Sequence, residues 1–241
     1  MHPVIEGILR ASLDRSPRLS EPLEGRRDLP RSAMAKRSLG ILPVIAEIKP
    51  RVLGRQLLPL EVERIARAYE SCGACAISVL TEPTYFLGSA ENLAIARRST
   101  GLPVLRKDFI ITERQLEEVR SDLVLLIAAL GADIEALVDR ALSLGMEPLV
   151  EVHTEDEMRR ALESDARIIG INNRDLETLQ VDLDTFKRLA PMARGRDVFL
   201  VAESGVLSRA DALSMFQAGA DAILVGTALM QSPQALLEIS R

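Results

Sequence analysis

Lysine is scarce in this chain. Of 30 basic residues only four are lysines, Lys36, Lys49, Lys107 and Lys187, and arginine supplies the positive charge everywhere else. Cysteine and histidine are scarcer still, at two residues each. Cys72 and Cys75 form a lone CGAC, and the only histidines are His2 and His153. A zinc centre wants about four ligands, so no metal site is expected. The two thiols read instead as small residues packed where a helix turns into a strand.

Other absences exclude whole classes of function. No apolar run approaches the roughly 20 residues that cross a bilayer, so no membrane partner is expected. No Gly-x-Gly-x-x-Gly turn follows the first apolar run, which speaks against a dinucleotide-binding open sheet. A net charge of -5 and a pI near 5.3, with arginines dispersed among acids, leave no basic patch for nucleic acid. The N-terminus, MHPVIEGILRASLDR, is too acidic and too poor in apolar residues for a signal peptide, so a cytoplasmic protein is expected.

What the chain does have is alternation. Apolar runs lie at 43–48 (PVIAEI), 75–80 (CAISVL), 103–106 (PVLR), 122–127 (DLVLLI), 147–152 (EPLVEV), 168–172 (IIGIN), 198–202 (VFLVA) and 222–225 (AILV). Helix-like stretches lie between them, including 60–71, 112–120, 132–144, 155–163, 183–190 and 207–217. Eight strands alternating with helices over 241 residues predict an α/β fold, a (β/α)8 TIM barrel. Residues 1–40 lack strand patterns and carry amphipathic pieces at Val4–Leu13 and Ala33–Leu39. They are expected to form an N-terminal helical extension against a barrel end, with residues 41–241 as the catalytic barrel.

Nearly every predicted strand ends in polar groups: Glu47 and Lys49, Ser78 and Thr81, Lys107, Glu151, Asn172 and Arg174, Glu203 and Ser204, Gly226 and Thr227. A barrel gathers all these ends into one ring, where such enzymes do their chemistry. Lys49 and Lys107 stand out because a lysine can exchange its proton when desolvated, whereas arginine stays charged. The last two strands, ESGV and VGTALM, each set a glycine beside a hydroxyl just before a helix-like stretch. Ser204, Gly205, Gly226 and Thr227 therefore read as a phosphate site, since backbone amides there point outward and glycine permits close approach.

Taken together, IAEIK, SVLTEPTYFLGS, PVLRKDF, LLIAAL, LVEVHTEDE, IGINNRDLETLQVD, VAESGV and DAILVGTALM resemble the indole-3-glycerol phosphate synthase family of tryptophan biosynthesis, in order and spacing, from about Ile45 to Met230. The resemblance implies a cofactor-free lyase. It would close the ring of 1-(2-carboxyphenylamino)-1-deoxyribulose 5-phosphate, a phosphorylated small molecule, with loss of carbon dioxide and water. Position by position, it implies Lys107 as the general acid at the ribulose carbonyl oxygen and Lys49 as the partner of the substrate carboxylate and a candidate acid in the dehydration. Glu151 resembles the proton-transfer carboxylate, Glu47 the one that stabilises developing positive charge, and Asn172 and Arg174 an orienting pair. How acid and base roles divide among the two lysines and two glutamates is left open. For the substrate's benzene ring the chain offers Phe86, Phe109, Leu130, Leu176 and Leu179, which a barrel rim would bury equally well without a ligand.

Three departures from the family pattern stand out. After IAEIK the family continues into a Ser-Pro loop whose serine helps hold the phosphate, whereas here Val52 fills that position. Arg51 or Arg55 is the expected replacement, because a guanidinium suits a phosphate. Leu87 replaces a polar residue before Gly-Ser, and Thr227 a smaller polar one. A monomer is expected, with a weak dimer as the alternative. The competing readings are a phosphoribosylanthranilate isomerase-like barrel, which would call for a Cys and Asp pair at the strand ends, and a silent barrel that only binds phosphorylated ligands.

Overall fold

Short strands buried on both faces are the pattern of a parallel sheet covered by helices. The structure, a computed structural model, describes residues 2–13, 15, 25–52 and 55–241. Eight parallel strands close into a barrel: β1 (Val44–Ile48), β2 (Ala76–Leu80), β3 (Val104–Lys107), β4 (Leu123–Ile127), β5 (Glu147–Val152), β6 (Ile168–Asn172), β7 (Phe199–Glu203) and β8 (Ala222–Val225). Closure comes from β1, which pairs with β8 on one side and β2 on the other. Helices α3 (Pro59–Ser71), α4 (Ala90–Ser99), α5 (Glu113–Leu116), α6 (Ile134–Ser143), α7 (Glu155–Glu163), α8 (Asp184–Leu189) and α9 (Arg209–Gln217) link successive strands, and α10 (Thr227–Gln231) and α11 (Ala235–Ser240) follow β8. Among the described residues no helix is long and apolar enough to cross a membrane.

Strand alternation sorts the core into two sets. Val44, Ala46 and Ile48 of β1, with Val150 and Val152 of β5, face the helices, whereas Ile45, Leu105, Leu125, Leu149, Val201 and Leu224 fill the barrel. Moving two residues toward the C-terminal end on the inward face changes the chemistry at once. There stand Glu47, Ser78, Lys107, Glu151, Asn172, Glu203 and Gly226, so an apolar column carries a polar layer on top.

The extension differs from its expected placement at one barrel end, because it uses both. Helix α1 (Pro3–Leu13) buries Ile5 and Ile8 in the inner apolar cluster, and Arg15 just after it pairs with Asp108 at the C-terminal end. A Cβ at Gly7 would overlap the Tyr85 hydroxyl in the loop after β2, so glycine sets that close approach. Helix α2 (Leu29–Arg37) plugs the opposite end. Ser32 Oγ donates to the Cys75 carbonyl at 2.6 Å, just ahead of β2, and Arg37 donates to the Ala220 carbonyl at 2.8 Å, just ahead of β8. It starts earlier than the periodicity suggests because Asp28 caps it, accepting from the Arg31 amide at 2.7 Å.

Two further local differences have visible causes. The helix expected over 112–120 stops at Leu116, where the Gln115 carbonyl accepts from the buried Arg106 guanidinium at 2.7 Å and the chain tightens so that the Glu118 amide reaches the same oxygen at 3.3 Å. The loop after Lys49 is a short antiparallel hairpin, Arg51–Val52 against Arg55–Gln56. Cys72 caps α3 and Cys75 lies buried ahead of β2, both as free thiols. Burial pushes the Cys75 thiol up to about 12.

Candidate active site

Lys107 is the last residue of β3 and faces inward. Its ammonium lies 2.7 Å from Glu203 on β7 and 3.4 Å from Glu151 on β5. Burial acts to strip its proton, but Glu203, then Glu151 and Glu47, outweigh that and raise its pKa above the ordinary lysine value. The lysine therefore rests as a charged acid. The two carboxyls respond in opposite directions. Glu151 is held below the usual carboxylate range: burial works against this, and Lys107, His153 and Asn172 overcome it. Glu203 is pushed up to about 7, first by burial and also by Glu151, with Lys107 pulling the other way.

Glu203 is a member of this site that sequence reasoning did not single out. It lies inside the ESGV signature, beside the hydroxyl and glycine that read as a phosphate site. Its signal was the inward register, two residues past Val201. Room for it is made by Gly170 on β6, where a Cβ would overlap Glu203 Oε1 and lie 2.6 Å from Leu149. Ser78 is a second such residue, fully buried beside Glu47 in the β1–β2 register, with an unpaired Oγ.

Glu47 and Lys49 leave the end of β1 toward β8. Lys49 Nζ donates to Thr227 Oγ1 at 2.8 Å, joining a predicted catalytic residue to a predicted phosphate residue. Gly226 faces the same group, because a Cβ there would overlap Glu47 Oε1 and lie 3.1 Å from Lys49 Cε. It is therefore packed on the carboxylate layer as well as placed at the mouth of the barrel. Ser204 and Gly205 both adopt left-handed backbone, φ 62 and 84, and a Cβ at Gly205 would press on Val181 and Leu183. Arg51 begins the hairpin, but its side chain and that of Arg55 lie outside the described residues, as do Leu53 and Gly54.

On the β6 side, Asn172 accepts from the Arg174 amide at 3.0 Å, and Arg174 donates to the Leu179 carbonyl at 2.8 Å. Phe86 and Phe109 stack with centroids 6.1 Å apart and join Leu130 and Leu176 in the apolar cluster beside the polar layer. Leu179 is not in that cluster; with φ 61 it turns the loop that Arg174 holds. Beneath the rim, Asp108 is buried among Arg106 at 3.1 Å, Thr81 at 2.7 Å and Arg15, which binds it through two nitrogens at 3.0 and 3.1 Å.

Fold and site together define a class, the (β/α)8 barrels that hold an acid–base cluster at the C-terminal ends of their strands. A family model described as indole-3-glycerol phosphate synthase matches residues 18–241. A protein of that name from Halobacterium salinarum is 45% identical over 231 residues, 95% of this chain and 92% of that protein. Another from Mycolicibacterium vanbaalenii is 47% identical over 84% of this chain and 77% of its own length, and one from Parafrankia sp. is 49% identical over 83% and 76%. The chain belongs to the indole-3-glycerol phosphate synthase family. In fold alone it also resembles the N-acetylmannosamine-6-phosphate 2-epimerase of Clostridium perfringens, with a TM-score of 0.67 at 14% identity over 89% of this chain and 96% of that one.

Proposed function

We propose that this chain is an indole-3-glycerol phosphate synthase, converting 1-(2-carboxyphenylamino)-1-deoxyribulose 5-phosphate to indole-3-glycerol phosphate. The observation that carries the reading is the Lys107 ammonium held at 2.7 Å by Glu203 and 3.4 Å by Glu151 at the barrel mouth. Attack of the aromatic carbon on the ketone puts negative charge on its oxygen, and a charged lysine kept protonated by carboxylates is suited to donate there. Positive charge develops on the anilino nitrogen in the same step, and Glu47 is the carboxylate assigned to stabilise it. Loss of carbon dioxide returns the broken bond's electron pair to the ring, so no external electron sink is needed. Dehydration then calls for an acid at the hydroxyl and a base at the neighbouring CH2, roles assigned to Lys49 and Glu151, with Asn172 and Arg174 as the orienting pair.

The substrate phosphate is assigned to Ser204, Gly205, Gly226 and Thr227, supported by the Lys49–Thr227 contact, which puts a cation beside that group. Arg51 is kept as its further partner in place of the serine lost at Val52. Phe86, Phe109, Leu130 and Leu176 are assigned to the benzene ring. The reading takes residues 1–40 as an extension of the barrel 41–241 and the enzyme as a cytoplasmic monomer. A net charge of -5 supports a protein without a nucleic-acid partner. The test is turnover: the purified chain given the carboxyphenylamino substrate should generate indole fluorescence, and a folded chain that forms no indole-3-glycerol phosphate overturns the reading.

A further inference from the structure

His153 follows β5 and is not needed by the chemistry above. Its side chain is 8% exposed and lies between two carboxylates. Nδ1 is 3.2 Å from Glu157 Oε2, and the same oxygen accepts the His153 backbone amide at 2.7 Å. Glu157 is itself fixed on the first turn of α7, its amide donating to the Thr154 hydroxyl. Since Glu157 has only acceptors to offer, Nδ1 carries a proton. That leaves Nε2, buried and without a hydrogen bond of ordinary geometry, 3.4 Å from Glu151 Oε1. A bare Nε2 lone pair facing a carboxylate would be repulsive, so this nitrogen carries a proton too.

The contacts therefore form one line: Glu157, His153, Glu151, Lys107, Glu203. Without His153 the inner part of that line holds two carboxyls and one ammonium, and the ammonium lies closer to Glu203, at 2.7 Å, than to Glu151, at 3.4 Å, so it does not by itself keep a shared proton off Glu151. A second cation on the far side of Glu151 shifts that balance. We propose that His153 is a positioning residue of the ring-closure site: a permanent imidazolium, braced by Glu157, that keeps Glu151 ionised and aimed at Lys107.

The proposal rests on the functional reading above, but one readout is independent of it. The groups facing His153 are Glu151 from β5, Glu157 from α7 and, in the loop after β6, Asp175. The Asp175 carboxyl is held below the usual range first by the Thr178 amide and in part by His153. Burial acts against the imidazolium, and Glu151 and Glu157 outweigh it and push His153 up to about 10. The chain has two histidines, so nitrogen-detected NMR of the His2→Asn variant leaves one imidazole to observe. Both ring nitrogens should be protonated at pH 8, and a neutral ring there overturns the proposal whether or not the chain turns over substrate.

The second readout uses the active enzyme. His153→Gln should move the acid limb of the kcat profile, which belongs to the proton shared by Glu151 and Glu203 and lies near 7, up by about one pH unit, as loss of a cation near a carboxylate does. At pH 7 kcat should fall several-fold with KM changed little. Glu157→Gln should move the limb the same way by less, and the double variant should shift no further than His153→Gln alone. If His153 only packs α7 on the barrel, the variants lose thermal stability while the limb stays fixed, which also overturns the proposal.

Discussion

Burial alone would strip Lys107 of its proton, but Glu203, Glu151 and Glu47 hold it there, so in the proposed role of general acid it gives up that proton only when an oxyanion forms nearby. Arginine keeps the charge and cannot release it. Lys107→Arg is therefore expected to lower kcat by roughly 10²- to 10⁴-fold while calorimetry still detects binding of a substrate analogue; wild-type kcat would remove the acid from this position. Glu203, pushed up to about 7, gives a second expectation. Its ionised form orients the Lys107 ammonium, so kcat/KM should rise with pH through about 7, and Glu203→Gln should erase that inflection along with most of the activity. An inflection surviving in the variant would assign it to another group. Lys107 and Lys49 were legible in the sequence because lysine is rare and both end apolar runs. Glu203 was legible only as one of the polar strand ends and His153 not at all, since the part each plays arises from which side chain it meets across the barrel or at the start of α7.

At the level of elements, the strands were readable because parallel barrel strands are apolar up to their C-terminal ends, and their boundaries fell within a residue or two of the observed ones. The truncated α5 was not readable, because what meets its end is the guanidinium of Arg106 arriving from β3. Gly170 shows how one strand shapes a neighbour's site. It lies in the middle of β6, where glycine costs stability, and it leaves the space that Glu203 fills from β7. Gly170→Ala should drive the Glu203 carboxylate away from Lys107, because Leu149 blocks the other side at 2.6 Å. The expected result is a kcat loss similar to that of Glu203→Gln, with the double variant no worse than either single change. Additive losses would mean that Gly170→Ala damages something other than Glu203. By the same logic Gly226→Asp, with Glu47 against that position, should disturb the carboxylate layer as well as any phosphate and lower kcat along with raising KM.

At the scale of the whole molecule, α1 and α2 bracket a continuous apolar column, and the polar layer sits between that column and α1. The sequence indicated an extension with helical pieces but not that it would reach both ends, because the tertiary contacts that send it there are scattered: single bonds to backbone carbonyls, the Arg26–Glu147 ion pair at the N-terminal end and the buried Arg15–Asp108 pair at the other. That pair joins Arg15 of the extension to Asp108, the residue after Lys107, and Asp108 is fully buried. Removing Arg15 leaves the Asp108 carboxylate with Arg106, Thr81 and the Phe109 backbone amide, and a buried charge that loses a bidentate partner costs about 1–3 kcal/mol. Arg15→Ala should thus lower the unfolding free energy by about that amount at neutral pH. The pH dependence separates charge from packing. Burial acts to raise the Asp108 pKa, but Arg106 and Arg15 lower it below the ordinary value, and a depressed carboxyl contributes stability that is present above its unfolded pKa near 3.9 and fades as pH falls through the folded value. The difference between wild type and Arg15→Ala in denaturant unfolding should accordingly be largest at pH 6–8 and shrink below about pH 4, as Asp108 becomes protonated in both states. A difference that stayed constant down to pH 3 would mean that Arg15 holds the extension on the barrel through its methylene stem and not through its charge.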